Sequence, residues 1–440
     1  MCRWAAVRSC LGDRAGATRL NSRRVEHILR SRVVNAKPRG RQFFQNPGPT
    51  NIPDRILRAM DRATLDFLSD EFMAIHRFCH AGVKRVLKTQ QHLFMYASSG
   101  HGAWEASLVN LFQPGDTVLM LESGYFSESW EQMATNLGLK IERIAADWRM
   151  GVRVADVARR LEADKTHQIK AVLTVHNETA TGLATPIAEI RRAIDGTKHP
   201  ALLLVDTISS LGCYDFKMDA WGVDVCVGGS QKGLMLPTGM SFTGVSEKAF
   251  TLSKKPGLPR HYWNWEMMTR REPQSFVGTT PVHLFFALEE SIKLIEEEGL
   301  DAIFARHRRL ADATRAAVLH WGGASMGGAS CTTKGVTGKV GTLELFCADP
   351  SRLSDSVTAV IVPDGHDANA MRTVALNRYN LSLGGGLGPL MGRVFRIGHM
   401  GDLNEPMLLG SLATVELAFK TSNIPYREGG VDAAIKSLAA

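Results

Sequence analysis

The stretch GGSQKGLMLP, residues 228–237, sets one lysine, Lys232, among glycines and hydrophobic residues just after the apolar run Val223–Val227. A lysine at the end of a buried strand has a low-dielectric neighbourhood that depresses its pKa and leaves a nucleophilic amine. Any one lysine taken alone is most often a solvated loop residue, so Lys232 is judged by its company. Other apolar runs also end in polar residues of useful chemistry. His92–Ala97 leads into Ser98-Ser99-Gly100-His101-Gly102, small residues opening a helix whose free backbone N–H groups and positive dipole end suit a phosphate. Ala171–Val175 leads into His176-Asn177-Glu178-Thr179-Ala180-Thr181-Gly182, Ala201–Val205 into Asp206, and Val223–Val227 into Ser230-Gln231-Lys232.

Asp206 alone reads as a helix cap or turn residue. A carboxylate at one strand end, a lysine at another and a phosphate cradle at a third are together what pyridoxal 5'-phosphate needs. The lysine forms the Schiff base, the carboxylate pairs with the protonated pyridine nitrogen, and the helix N-terminus takes the phosphate. A rival reading starts from Gly100-His101-Gly102 with Glu122 further on, which has the outline of a dinucleotide fingerprint and of an NAD-dependent oxidoreductase. Glu105 stands where the third glycine or alanine belongs, and that reading leaves Asp206 and Lys232 without a role.

The elements that must position these groups form an alternation. From about residue 90 strand-like runs (His92–Ala97, Thr117–Leu121, Lys140–Ile144, Ala171–Val175, Ala201–Val205, Val223–Val227, Ser241–Val245) alternate with amphipathic segments such as Gly102–Phe112. This predicts an α/β fold with a mostly parallel central sheet and helices on both faces, its ligand beyond the carboxyl ends of the strands. Near residue 296 the pattern changes to the long helix Leu300–Trp321, a Gly/Ser/Thr-rich loop over 322–341, and short strands around Val357–Val362 and Val394–Ile397. The expected division is a basic, disordered extension over 1–41, a large cofactor-binding domain over 42–295 and a smaller C-terminal α/β domain over 296–440.

With these pieces in order, the sequence resembles the class V, fold type I, pyridoxal-phosphate-dependent aminotransferases, near the serine–glyoxylate and alanine–glyoxylate groups. The carrying motifs are NPGPTNIP (46–53), SSGHGAWEA (98–106), HNETATG (176–182), LLLVDTISSLG (202–212), GSQKGLMLPTG (229–239), TTPV (279–282) and VFRIGHMGDL (394–403). The resemblance implies Lys232 as the Schiff-base lysine, Asp206 as the pyridinium partner, and Ser99, Gly100, His101 and Gln231 as phosphate contacts. It implies Thr179 beside the cofactor's 3'-oxygen, Phe126 stacked on the ring, Arg396 gripping the substrate α-carboxylate, and a homodimer in which Thr279 reaches the partner subunit's phosphate. Two positions depart from the pattern. Phe276 replaces a tyrosine that often reaches across the dimer, and His101 follows the alanine–glyoxylate members where serine–glyoxylate members commonly carry threonine. The implied reaction moves the amino group of serine, with alanine or aspartate as other donors, to glyoxylate, giving glycine and a 2-oxo acid. A lyase or desulfurase of the same fold is the alternative, and Cys331 on the Gly-rich loop is its one candidate nucleophile.

Composition narrows the remaining classes. The chain has 440 residues and a net charge of +8, yet residues 1–41 alone carry +9, from ten Arg and Lys37 against Asp13 and Glu26. The body is near neutral, which argues against a nucleic-acid-binding face. The basic segment reads as an organellar presequence, a disordered arm or, preferred here, upstream sequence from an over-long reading frame. Seven scattered cysteines without CxxC spacing point to a reducing, cytoplasmic location, and no histidine–cysteine pattern has metal-ligand spacing. No apolar run approaches the roughly 20 residues needed to span a bilayer.

Overall fold

The computed structural model describes residues 39–440 except 256, 271–272, 274–275, 324–329, 333–334 and 338–339. The strands of its two larger sheets are β1 (Phe43–Gln45), β2 (His92–Tyr96), β3 (Thr117–Leu121), β4 (Lys140–Ile144), β5 (Ile169–Val175), β6 (Leu202–Asp206), β7 (Val225–Gly229), β8 (Ser241–Val245), β9 (Glu344–Leu345), β10 (Val357–Ile361), β11 (Leu381–Gly385) and β12 (Val394–Gly398). Seven of them form one sheet in the order β2-β8-β7-β6-β5-β3-β4. The pairs from β7 to β4 are parallel, and β8 runs antiparallel to both neighbours.

Register explains why the chemistry gathers at one edge. Val175 lies opposite Asp206, Asp206 opposite Val227, and Ser241 opposite both Tyr96 and Gly229. The segments after β2, β5, β6 and β7 therefore leave the sheet at one level. Continuous apolar runs suit strands covered on both faces. In β6, Leu203 and Val205 join the apolar cluster of helices Asp70–Leu87 and Val282–Glu298, while Leu202 and Leu204 join that of helix Gly100–Leu111. Such fully buried leucines cost about 2–5 kcal/mol each when cut to alanine, which makes this edge a rigid platform.

The second sheet has the order β1-β11-β12-β10-β9, and it packs a separate apolar cluster against helices Leu300–Trp321 and Glu405–Thr421. Its edge strand β1 comes from the beginning of the described chain and pairs in parallel with Leu381–Leu383. The segment after β1 then crosses to the large sheet, where Thr50 N–H donates to the Gln231 carbonyl at 3.0 Å and the Thr50 hydroxyl to the Lys232 carbonyl at 3.1 Å. No helix among the described residues is long and apolar enough to cross a membrane.

Candidate active site

A cavity of about 200 Å³ opens at the carboxyl edge of the large sheet, lined by Ser99, Gly100, His101, Trp104, Phe126, Thr179, Asp206, Gln231 and Lys232 among others. The sequence places these residues at five separate strand ends, those of β2, β3, β5, β6 and β7, and the register brings them together. Ser99 precedes helix Gly100–Leu111 in extended conformation; its side chain does not cap that helix, and no acid lies in the first turn. Its first N–H groups are thus free of a side-chain cap among the described residues and carry the positive end of the helix dipole. Glycine at 100 leaves room for the Ile208 side chain, whose tip would have to shift for a Cβ there.

Lys232 is only 7% exposed, and its ammonium donates to the Pro47 carbonyl. Burial, reinforced by the Arg396 charge, lowers its pKa to about 8. A neutral amine is therefore accessible near neutral pH. Gly48, at φ +107°, passes so close that any Cβ would strike the Lys232 side chain, so the NPGPT segment closes over the lysine only with glycine at that point. Asp206 is also buried. Its Oδ1 accepts from Ile208 N–H at 2.6 Å and its Oδ2 from the Trp104 indole at 3.0 Å. Burial pushes its carboxyl up to about 7 against these two donors and the Lys232 charge.

Thr179 donates to Ser209 Oγ at 2.7 Å, and Ser209 passes the bond to the Asn177 carbonyl at 2.8 Å. Among the described residues, the buried acceptors Gln231 Oε1 and Asn177 Oδ1 have no hydrogen-bond partner. Both residues line the cavity, so a ligand donor there would satisfy them. Arg396, on β12, lies behind the Thr179 segment rather than in the cavity lining: Nε donates to the Gly385 carbonyl at 2.7 Å and one terminal nitrogen to the Thr179 carbonyl at 3.0 Å. Burial lowers its pKa to about 10.

Thr279 and Phe276, the positions assigned to or departing from a contact across a dimer, lie outside this cavity. Thr279 is exposed and away from the cavity. Phe276 is buried, with its ring 5.7 Å from Phe285 and 6.4 Å from His76, so it serves its own core. Cys331, on which the lyase or desulfurase alternative rests, falls where side chains lie outside the described residues.

Glu178 escaped the sequence reading. Fully buried, it accepts from the N–H groups of Phe126 (3.0 Å), Ser127 (3.3 Å) and Ala180 (3.0 Å), and so fixes helix Tyr125–Asn136, which carries Phe126. An acid inside the apolar-flanked HNETATG was the available signal.

The profile of the family described as Aminotransferase class-V matches residues 42–381. This chain belongs to the class-V aminotransferases. It is 42% identical to the L-aspartate–glyoxylate aminotransferase of Paracoccus denitrificans (88% of this chain, 94% of that one) and 42% identical to the serine–glyoxylate aminotransferase of Hyphomicrobium methylovorum (87% and 91%). Among solved structures, the ureidoglycine–glyoxylate aminotransferase of Bacillus subtilis superposes with a TM-score of 0.80 at 25% identity, covering 92% of this chain and 99% of its own. As a class-V aminotransferase the chain has the fold type I architecture expected from its motifs. Membership removes the NAD-dependent oxidoreductase reading, and the structure gives the reason. Glu122, the acid of the apparent fingerprint, is buried and accepts the Trp148 indole at 2.8 Å, leaving it no ribose to bind.

Proposed function

We propose that this class-V aminotransferase binds pyridoxal 5'-phosphate and transfers the amino group of an L-amino acid, serine first among donors, to glyoxylate. The observation that carries this reading is the convergence in one cavity of a buried lysine, a buried carboxylate and an uncapped helix N-terminus. The fit is chemical: the N-terminus of helix Gly100–Leu111 and the Gln231 amide N–H can donate to a phosphate, the buried Asp206 carboxylate suits a protonated ring nitrogen, and Asn177 Oδ1, unpartnered among the described residues, leaves a polar wall for the ligand to complete. Ser99, Gly100, His101 and Gln231 would hold the phosphate, Thr179 the 3'-oxygen side, Phe126 the ring face and Asp206 the ring nitrogen. When bound, the cofactor supplies an electron sink for the charge left at the substrate Cα.

The chain's own residues do the rest. Lys232, its pKa lowered to about 8 by burial, would act as base and then as acid within each half-reaction: it takes the proton from the donor's Cα and gives it up before the 2-oxo acid leaves, and in the second half it runs the transfer in reverse, delivering a proton to the carbon that glyoxylate contributes. Arg396, with three of its five N–H donors free of the two carbonyl bonds above, offers a planar fork to the carboxylate shared by donor and glyoxylate. The Asn46–Thr50 segment covers the lysine and limits water at the reacting carbon.

On this reading residues 42–295 form the cofactor-binding domain and 296–440 the smaller one, with β1 lent to the second sheet, and the exposed Thr279 meets the phosphate of a partner subunit in a homodimer. The buried free thiols among the described residues, Cys79, Cys213, Cys226 and Cys347, accord with a cytoplasmic setting. The deciding experiment runs the purified enzyme against glyoxylate with serine, alanine and aspartate in turn. Serine should give the highest kcat/KM; aspartate in first place would move the assignment to the other named relative, and no glyoxylate turnover with any of the three would sink it.

A further inference from the structure

We infer that Trp104 is a positioning residue whose indole N–H, 3.0 Å from Asp206 Oδ2, keeps that carboxylate ionised and turned toward the cavity. The inference rests on the proposed pairing of Asp206 with the cofactor's ring nitrogen. Asp206 is 4% exposed and receives two hydrogen bonds, one from Ile208 N–H and one from Trp104. The first is main chain and survives any side-chain substitution at the turn. The second is the one side-chain hydrogen bond on the carboxylate among the described residues.

The indole has little freedom to leave. It is fully buried one turn into helix Gly100–Leu111, stacked on Trp130 at 5.7 Å and 14°, with His101 at 4.4 Å on one side and the Phe126 ring at 6.4 Å. One ring thus ties the phosphate-cradle helix, the helix bearing Phe126 and the strand bearing Asp206. A donor fixed in this way is aimed at the charged form of its acceptor, and losing it leaves a buried carboxylate less able to stay charged. Burial already drives Asp206 upward, and the Trp104 bond is among the forces opposing that rise. The other titratable groups around the site are Lys232, Glu178, Tyr214, Cys213, Arg396 and His101, and none of them hydrogen-bonds Asp206.

The test is the affinity of the full chain, stripped of cofactor, for pyridoxal 5'-phosphate from about pH 5 to about pH 9. In the wild type, affinity should fall as pH drops through the Asp206 titration. Trp104→Phe keeps a ring against Trp130 but removes the donor, so its midpoint should move up by about one pH unit. That means roughly tenfold weaker binding near neutrality and convergence with wild type at the alkaline end. Trp104→His makes the opposite change: its Nε2 occupies the five-membered-ring position of the indole Nε1, while the benzo ring is gone. It should bind more weakly at every pH with a midpoint at or below the wild-type one. A Phe variant weakened by the same factor at all pH values, or unchanged, would overturn the inference by reducing Trp104 to packing or to nothing. Should the Phe variant fail to fold, a His variant whose midpoint rises by about a unit overturns it equally. A wild-type chain that takes up no pyridoxal phosphate at any pH would instead bring down the cofactor reading, and this inference with it.

Discussion

The two ends of the seven-stranded sheet both carry cavities with lysine. At the amino ends of β3, β5 and β6 a cavity of about 670 Å³ is lined by Asp116, His167, Lys170 and Lys255; at the carboxyl ends the Lys232 cavity is about 200 Å³. The larger one holds lysines that are exposed to solvent. The smaller one buries a lysine, a carboxylate and a second acid, Glu178, and moves the ionisation of all three. Volume is thus the poorer marker of chemistry, and desolvation of ionisable groups the better one. The cause is topological: parallel strands deliver their following loops to one edge, and only there do Asn46–Thr50 and β12 close over them.

The largest effect expected from this contrast is at Lys232. Lys232→Ala removes both the covalent anchor and the proton carrier, so turnover should drop on the order of 10⁴-fold or more. Borohydride reduction should attach cofactor to Lys232 in the wild type and to no residue in the variant; attachment elsewhere would break the contrast. Asp206→Asn comes next, with a rate loss of about a hundredfold or more, and it carries a stability signature of opposite sign. The folded pKa of Asp206, about 7, lies above its ordinary value of 3.8. Its contribution to stability is therefore fully present below 3.8 and is lost as pH rises through about 7, costing on the order of a few kcal/mol above that. The cofactor-free Asn variant should melt above the wild type at pH ~8, with the gap closing near pH ~4. A variant destabilised at the alkaline end would mean that the carboxylate is better solvated than its burial implies.

Arg396→Lys should have an intermediate effect. It replaces a two-bond fork by a point charge, and one lost charge-assisted bond is worth about 1.5–3 kcal/mol, or roughly a tenfold to hundredfold fall in kcat/KM. Donor and glyoxylate should suffer alike, because the carboxylate is what they share, while the visible spectrum of the resting enzyme stays as it was. Impairment of one substrate alone would reassign the residue.

How much of this could be read in advance depended on sequence distance. The strands of the large sheet were legible because each is a continuous apolar run with polar residues after it, as LLLVD shows at β6. β11 was not: LSLGG reads as loop, and it becomes a strand only by pairing with β1, more than 330 residues earlier, and with β12. Lys232, Asp206 and the SSGHG turn stood out because their residue types are unusual at strand ends. Trp104 and Glu178 did not, since a tryptophan on a buried helix and an acid in a turn are ordinary until register brings them to Asp206 and to the Phe126 helix. Phe276 was legible as a departure, but its burial against Phe285 is a tertiary fact.

The smallest effect belongs at the amino end of the sheet, where the contrast is most exposed to refutation. Lys170 and Lys255 line the larger cavity, yet both are exposed, and Lys170 spends its one described bond on the His167 carbonyl at 3.0 Å. Exposed polar contacts of this kind are worth well under about 1 kcal/mol, and substitutions there stay within roughly ±0.5 kcal/mol. Lys170→Ala combined with Lys255→Ala should accordingly leave kcat/KM within about a factor of two and shift the melting temperature by no more than a degree or two. The same lysine chemistry, at the opposite end of the same sheet, would then differ in consequence by several orders of magnitude for one reason, the burial or exposure of the amine. A tenfold loss of activity in the double variant would show that the amino-end cavity takes part in the reaction, and burial would no longer distinguish the two ends.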